Sequence, residues 1–481
     1  MLGIITILLL LCSLNIKANT FYVAPADPEI TTEGDGSYDN PWRGLQDVIN
    51  NKVETWESKN SPYDGELKIK NEGAPIKSGD TIILKDGFYG KFQLYKTFNE
   101  DYITIKAENQ HQAVFSHIKI MAASHWNIYD LNINREIKIP ESEQNSETNK
   151  LIFIANGWHG PAKYINIEGC KLYTVEDSSS WGLEEWNNIA RNGILCHSDY
   201  ITIHNNHIKN INYGIVIQRG SNSTVSNNLI ENISADAMQG IGDNLLFENN
   251  IAKNFHQVDD NHLDGFQSWI DPPTDPVNGN PSDRGIVRGN IIIEHENPDH
   301  PFRPDALQGI GLYDGPYNDW IIENNIVIVT HVHGIALQGG RNCRIVNNTV
   351  ISPKPEGNTH IMITDTKGGQ PSENIIVRNN IVKRLTLNWK NTSDSVVVDH
   401  NLIIDADDYN LMFVDPYDPI NYDLHLKPGA TAINTGSPEL APDIDIEGNS
   451  RPYGNGYDIG AYEYQGELDP PPAAPTNLEV E

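Results

Sequence analysis

HNNHIKNINYGIVIQRGSNSTVSNNLIENISADAMQGIGDNLLFENNIA, residues 204–252, repeats an Asn pair followed by an aliphatic stretch, with the pairs ending at Asn206, Asn228 and Asn250. The signature returns in ENNIV at Asn325, VNNTV at Asn348 and RNNIV at Asn380, and more weakly at Asn290 (RGNII) and Asn401 (DHNLI). Successive intervals are 22, 22, 40, 35, 23, 32 and 21 residues, so a unit near 22 recurs with insertions. Self-similarity at that period marks a solenoid. Within a unit the apolar residues alternate, as in YGIVIQRG (213–220), HGIALQGG (333–340) and VVVDHNLII (396–404), which is the period of a strand. Short strands separated by Gly and Asn turns, joined by crossovers that are nearly always right-handed, predict an all-β fold, a right-handed parallel β-helix. Asn suits its corners because it tolerates the left-handed backbone and its amide can bond to the Asn one coil away. Ladder points at Asn132 and Cys170 extend the stack to at least nine coils between 132 and 401.

Outward from the repeat, SGDTIILKDGFYGKFQLYKTFNEDYITIKAENQ (78–110) reads as the first coils, so the β-helix is assigned to 78–431. Residues 19–77, with YDNPWRGLQDVINN inside them, are expected to supply a helical N-terminal cap, and 432–465, rich in Gly and Asp, a C-terminal cap. The stretch 466–481 is a Pro-rich linker or tail. Residues 1–18 hold an apolar run, Ile4–Cys12, too short to span a bilayer, which predicts a signal peptide and a secreted or periplasmic protein. Cys12 admits a lipoprotein anchor as the alternative, although Leu11 stands where a small residue is wanted. The later cysteines Cys170, Cys196 and Cys343 have no metal-ligand spacing and read as buried thiols, with a Cys170–Cys196 bridge as the alternative.

The chain of 481 residues sets 34 Lys and Arg against 65 Asp and Glu, a formal charge of −31. That balance argues against nucleic acid and anionic membrane surfaces as partners, since clustered cations hold both. An anionic sugar stays open to it, because one basic group or a bound cation can reverse the field inside a cleft.

SGDTIILKDGFYGKF (78–92), the Asn-ladder coils and the closing DIGAYE (458–463) resemble secreted right-handed β-helix proteins of bacteria, many of them polysaccharide lyases or glycoside hydrolases. The start of the chain is similar to the alginate lyase and chondroitinase B family, whose catalytic Lys and Arg find no matching motif here. The resemblance implies an enzyme acting on a polysaccharide.

Three successive units carry one motif: SADAMQGIG (234–242), HLDGFQSWI (262–270) and RPDALQGIG (303–311). Asp236 lies 14 residues before Asn250, as Gly214 and Gly334 lie 14 before Asn228 and Asn348. That phase turns Asp236, Asp264 and Asp305 outward, with His262 and Arg303 on the same face, and turns Gln239, Gln267 and Gln308 inward unless a bulge intervenes. Stacked at roughly 4.8 Å, three carboxylates would repel one another unless a cation or Arg303 intervenes. Asp236, Asp264 and Asp305 are therefore candidate Ca²⁺ ligands. The flanking insertions DPPTDPVNGNPSDR (271–284) and EHENPDHPFRP (294–304), and SSSWGLEEWNN (178–188) with Trp181 and Trp186 for stacking on sugars, suggest a walled groove over coils 234–341.

For β-elimination from an acidic polysaccharide, His262 is the candidate base and Arg303 the neutraliser. Asp264 and Asp305 would orient or bind a cation, and Tyr313, His331 or His333 would assist. Gln267 is a candidate substrate-binding residue, and Arg219 and Arg341 are candidates for holding more distant sugars. For hydrolysis, Asp264 and Asp305 on adjacent coils or Asp236 and Asp305 two coils apart would supply the carboxylate pair. A uronate C5-epimerase shares the proton abstraction, and a non-catalytic adhesin remains the reading from another class.

Overall fold

The computed structural model describes residues 18–29, 33–136, 149–270, 282–304, 307–388 and 396–466. After two long strands, Gly87–Ala107 and Ala113–Tyr129, each coil of a parallel solenoid from Lys150 onward contributes three short strands, one to each face. The first face includes Lys150–Ala155, Asn192–His197, Ile215–Gln218, Met238–Ile241, Asp264–Trp269, Gln308–Tyr313, His333–Gln338, His360–Thr364 and Arg384–Asn388, each paired in parallel with the next. Thr224–Ser226 and Leu246–Glu248 belong to the second face, Leu229–Ile233 and Ile251–Phe255 to the third. Inward Ile, Leu, Val and Phe from all three faces fill one continuous core.

The ladder divides its labour between the two residues of each pair. The first, Asn205, Asn227, Asn249, Asn324, Asn347 or Asn379, adopts positive φ between 53° and 56° and turns the corner between second and third faces. The second is buried and bonds along the axis: the amides of Asn206, Asn228, Asn250, Asn290, Asn325, Asn348 and Asn380 each donate to the side-chain oxygen of the next, over 2.9–3.0 Å. Cys170 holds the preceding rung, its backbone N–H donating to Asn206 Oδ1. One coil earlier the rung is Leu131 rather than Asn132, because Lys171 pairs with Asn132.

Both flanks depart in detail from a pair of end caps. Thr20–Ala24 is itself a strand of the solenoid, parallel to Thr81–Leu84, and the helix α1 (Leu45–Asn51) buries Leu45, Val48 and Ile49 in the core. Residues 432–465 run along the outside of the third face: Asn324, Asn347 and Asn379 donate to Ile444, Asp458 and Ser437 carbonyls, and Ala432, Ile459 and Ala461 pack with Ile326, Ile351 and Ile381. A fully buried Arg451–Glu463 pair at 2.9 Å ties this segment together. Cys170, Cys196 and Cys343 are free and buried, so no Cys170–Cys196 bridge exists, and burial pushes each thiol up to about 12. Among the described residues no helix is long and apolar enough to cross a membrane. The predicted signal peptide, apart from Ala18, and all but the first residue of the Pro-rich tail lie outside the described residues.

Candidate functional site

The outer side of the first face carries the site, and its register follows from the corner that precedes each strand. Met238, Phe266, Ile310 and Ile335 stand in register and point into the core. Ala237, Gly265, Gly309 and Gly334, one residue earlier, also turn inward; a Cβ on Gly265 would meet Ile292 Cγ2 at 2.5 Å. Two consecutive inward residues restart the alternation. Gln239 and Gln267, paired side by side, therefore lie on the outer side, which corrects the inward orientation expected for them.

Immediately before the corner, Tyr213, Asp236, Asp264, Gln308 and His333 line the edge of this face in successive coils. The Gly214 and Ala237 amides donate to the Asp236 and Asp264 carbonyls, and Asp264 pairs with Gln308. The motif repeat is thus shifted in its third copy: Gln308, not Asp305, stands beside Asp264, and Asp305 lies outside the described residues.

His262 Nδ1–H donates to Asp264 Oδ2 at 2.7 Å; the imidazole is 55% exposed and the carboxylate 0%. Gln267 donates to the same Oδ2 at 3.1 Å, while Asp264 Oδ1 is buried without a partner. The Asp264 amide donates to Asp236 Oδ1 at 2.9 Å and Gln239 to Asp236 Oδ2 at 2.6 Å. Burial, reinforced by the negative charge of Asp264, raises Asp236 to about 7, so it holds its proton through much of the acidic range. Burial also raises Asp264, and the hydrogen bond to Asp264 raises His262. Opposite, Tyr313 O–H donates to Gln308 Oε1, which also lies 3.0 Å from His333 Nδ1. Burial keeps His331 uncharged, at about 4, and lowers His333 as well. The arrangement offers one exposed imidazole aimed by a buried carboxylate, beside a second buried carboxyl with a raised pKa and two amide donors. Asp236, His262 and Asp264 present ligand atoms within 4.8 Å of one another.

His262, Asp264, Asp236, Gln267, Tyr313 and His333 are thus brought onto one face. Arg303 is not: it pairs with Glu294 at 2.9 Å, and Glu294 also takes hydrogen bonds from Thr330. Trp186 is buried, edge-on to Trp181 at 4.8 Å and to His256 at 4.6 Å, so it packs the insertion and offers no face to a sugar; Trp181 packs beside it, partly buried. Arg219 is exposed on a left-handed corner after Ile215–Gln218, and Arg341 ends the short strand Gly340–Arg341, both at the edge of the face opposite the Asp column. Tyr213, Gln308 and Gln239 are members the sequence did not single out as site residues; period-2 phase carried through the inward corner would have found all three.

The sequence matches a family model described as the right handed beta helix region over residues 151–257 and 192–382. No curated protein matches. Among solved structures, the pectate lyase Pel9A is similar at 14% identity over 93% of this chain and 98% of that one, with TM-score 0.47. The A-module of the mannuronan C-5 epimerase AlgE6 from Azotobacter vinelandii is 10% identical over 67% and 90%, TM-score 0.41. A GH136 lacto-N-biosidase from Eubacterium ramulus is 12% identical over 80% and 67%, TM-score 0.40. These are likenesses of fold. By its repeat, its three-faced stack and this family match, the chain is a right-handed parallel β-helix protein.

Proposed function

We propose that the chain is a polysaccharide lyase that cleaves an acidic, uronate-containing polysaccharide by β-elimination, with His262 as the base. The observation carrying this reading is the contrast in exposure along one hydrogen bond: His262 is open to a ligand, whereas Asp264 behind it is sealed. A buried carboxylate that accepts from Nδ1–H fixes the tautomer and leaves Nε2 to take a proton, the base–orienter logic of catalytic dyads. In the proposed step Nε2 removes the proton at C5, the C5–H pair forms the C4=C5 bond, and the C4–O bond breaks. The leaving oxygen regains a proton from the imidazolium. With Arg303 committed to Glu294, charge on the substrate carboxylate is met by hydrogen-bond donors instead: the Gln239 and Gln267 amides. A long, regular outer face suits a polymer laid along the axis, and the apolar run Ile4–Cys12 supports export to the periplasm or medium.

Hydrolysis by the Asp236–Asp264 pair is the weaker reading, because both carboxyls are shielded from a sugar by the groups that bond them. A Ca²⁺ ion at Asp236 and Asp264 is favoured by one observation, the orphaned Asp264 Oδ1, and would take over the neutralising role. The test incubates the mature protein, with and without chelator, against uronate and neutral polysaccharides, following unsaturated-uronate absorbance and new reducing ends. Both signals rising together supports the lyase; reducing ends alone refutes it in favour of hydrolysis. Loss of both on chelation assigns the cation.

A further inference from the structure

A second cluster of imidazoles lies outside the chemistry described above. His256 follows the third-face strand Ile251–Phe255, His295 follows Ile291–Ile293 in the next coil, and His300 comes from the insertion after it. Their ring centroids are 4.5 Å (His256–His300), 4.6 Å (His295–His300) and 5.4 Å (His256–His295) apart. One nitrogen from each lies within 4.8 Å of the other two. His256 is 5% and His295 7% exposed, yet His256 Nδ1 and His295 Nε2 are buried without a hydrogen-bond partner. The Asn297 and Phe302 amides donate to Nδ1 of His295 and His300, at 2.9 and 3.2 Å, so Nε2 is the nitrogen of each ring outside these backbone bonds. The trio borders a cavity of about 620 Å³ also lined by Glu231, Asn254 and Glu296.

Three imidazoles brought together this closely need a common partner or a reason to stay uncharged. Burial supplies the second, because it disfavours the charged ring, and the neutral ring is the form that ligates metals. Glu296 is taken by Lys253 and Asn254, at 2.9 Å each, so the donor set is nitrogen alone. An all-imidazole set suits zinc, copper or nickel, whereas calcium and magnesium require oxygen.

We propose that His256, His295 and His300 form a binding site for a divalent transition-metal ion of the zinc type, with the remaining coordination position open to the cavity. With Nδ1 accepting an amide N–H, the proton of the neutral His295 and His300 rings sits on Nε2; to present an Nε2 lone pair to the cation, each ring carries its proton on Nδ1 instead and gives up the amide bond.

The experiment titrates Zn²⁺ alone into the full, chelator-stripped chain by calorimetry, with Co²⁺ visible absorption reporting nitrogen coordination. One equivalent is expected for the native protein and for His262→Gln, and affinity weaker by roughly tenfold or more for His295→Gln and His300→Gln. Metal-free melting curves of the variants separate loss of a ligand from loss of the fold, and the partly exposed His300 is the substitution the fold should tolerate best. Absence of stoichiometric Zn²⁺ binding overturns the proposal, as does binding that survives both substitutions. Binding lost only in His262→Gln also overturns it, placing the ion at the Asp236–Asp264 cluster.

Discussion

Asp236→Asn tests the electrostatics of the site without reference to any substrate. Asp236 is raised from 3.8 to about 7 in the folded chain, first by burial and then by the charge of Asp264. At about 1.4 kcal/mol per pKa unit, that rise corresponds to about 4 kcal/mol. The sign follows from proton counting. Between those two values the folded chain keeps a proton that the unfolded chain has released, so stability is greatest below about pH 4 and falls as pH rises through about 7. Asn is nearly isosteric, can accept from the Asp264 amide as Asp236 does, and does not titrate. The stability of the native protein minus that of Asp236→Asn should therefore fall by about 2–4 kcal/mol between pH 4 and pH 8, the lower bound allowing for the joint titration of Asp236 with Asp264. Urea unfolding at each pH, read by far-UV circular dichroism with a common slope, measures this difference. A difference that stays flat across the range, or rises with pH, would refute the assignment of a protonated carboxyl at this position.

Under the proposed β-elimination, replacing His262 with Gln should lower kcat/KM by about 10²–10⁴ while leaving the melting temperature nearly unchanged, since the ring is half exposed; steady-state absorbance assays check it. Asp264→Asn should move the acidic limb of the pH–rate profile to lower pH, because the bond that raises His262 is gone, and should lower kcat as well. Arg303→Ala strips the partner from a buried Glu294 and should cost about 3–5 kcal/mol in denaturant unfolding, with the pH–rate profile unmoved in whatever fraction folds. Gly265→Val forces a side chain against Ile292 and should destabilise by about 1–3 kcal/mol, seen as a lower urea midpoint.

The architecture was legible because each coil repeats the same physical problem. A corner between two strands needs one residue at positive φ and one buried amide that bonds along the axis, and Asn answers both demands, so the pair recurs at Asn205–Asn206, Asn227–Asn228 and onward. Where a rung lacks Asn the sequence misleads: Asn132 resembles a ladder residue, but Leu131 fills the place. The site was half legible for a related reason. His262, Asp264 and Asp236 are read correctly as outward-facing because they precede the corner. The glutamines are not, because Ala237 and Gly265 insert a second inward residue that strict alternation does not allow for.

Arg303 and Asp305 show the limit of motif similarity in a solenoid. RPDALQGIG looks like a third copy of SADAMQGIG, but what aligns coils is the small corner residue beneath the preceding coil, here Gly309 under Gly265, and not the Asp. Aligning on the glycine moves the third copy by three residues and puts Gln308 beside Asp264. It also takes Arg303 out of the column, free to pair with Glu294. The column then reads Asp, Asp, Gln, His in successive coils, with one exposed imidazole beside it. A stack of three like charges, which would have needed a cation, becomes a pair sharing protons with His262 and the flanking amides. Substituting Gln308→Asp would restore the third carboxylate, and the chain should then gain either affinity for Ca²⁺ or a larger loss of stability with rising pH. Calorimetric Ca²⁺ titration and urea unfolding at pH 5 and pH 8 distinguish the two; a variant indistinguishable from the native protein in both would show that Gln308 lies outside the electrostatic reach of Asp264.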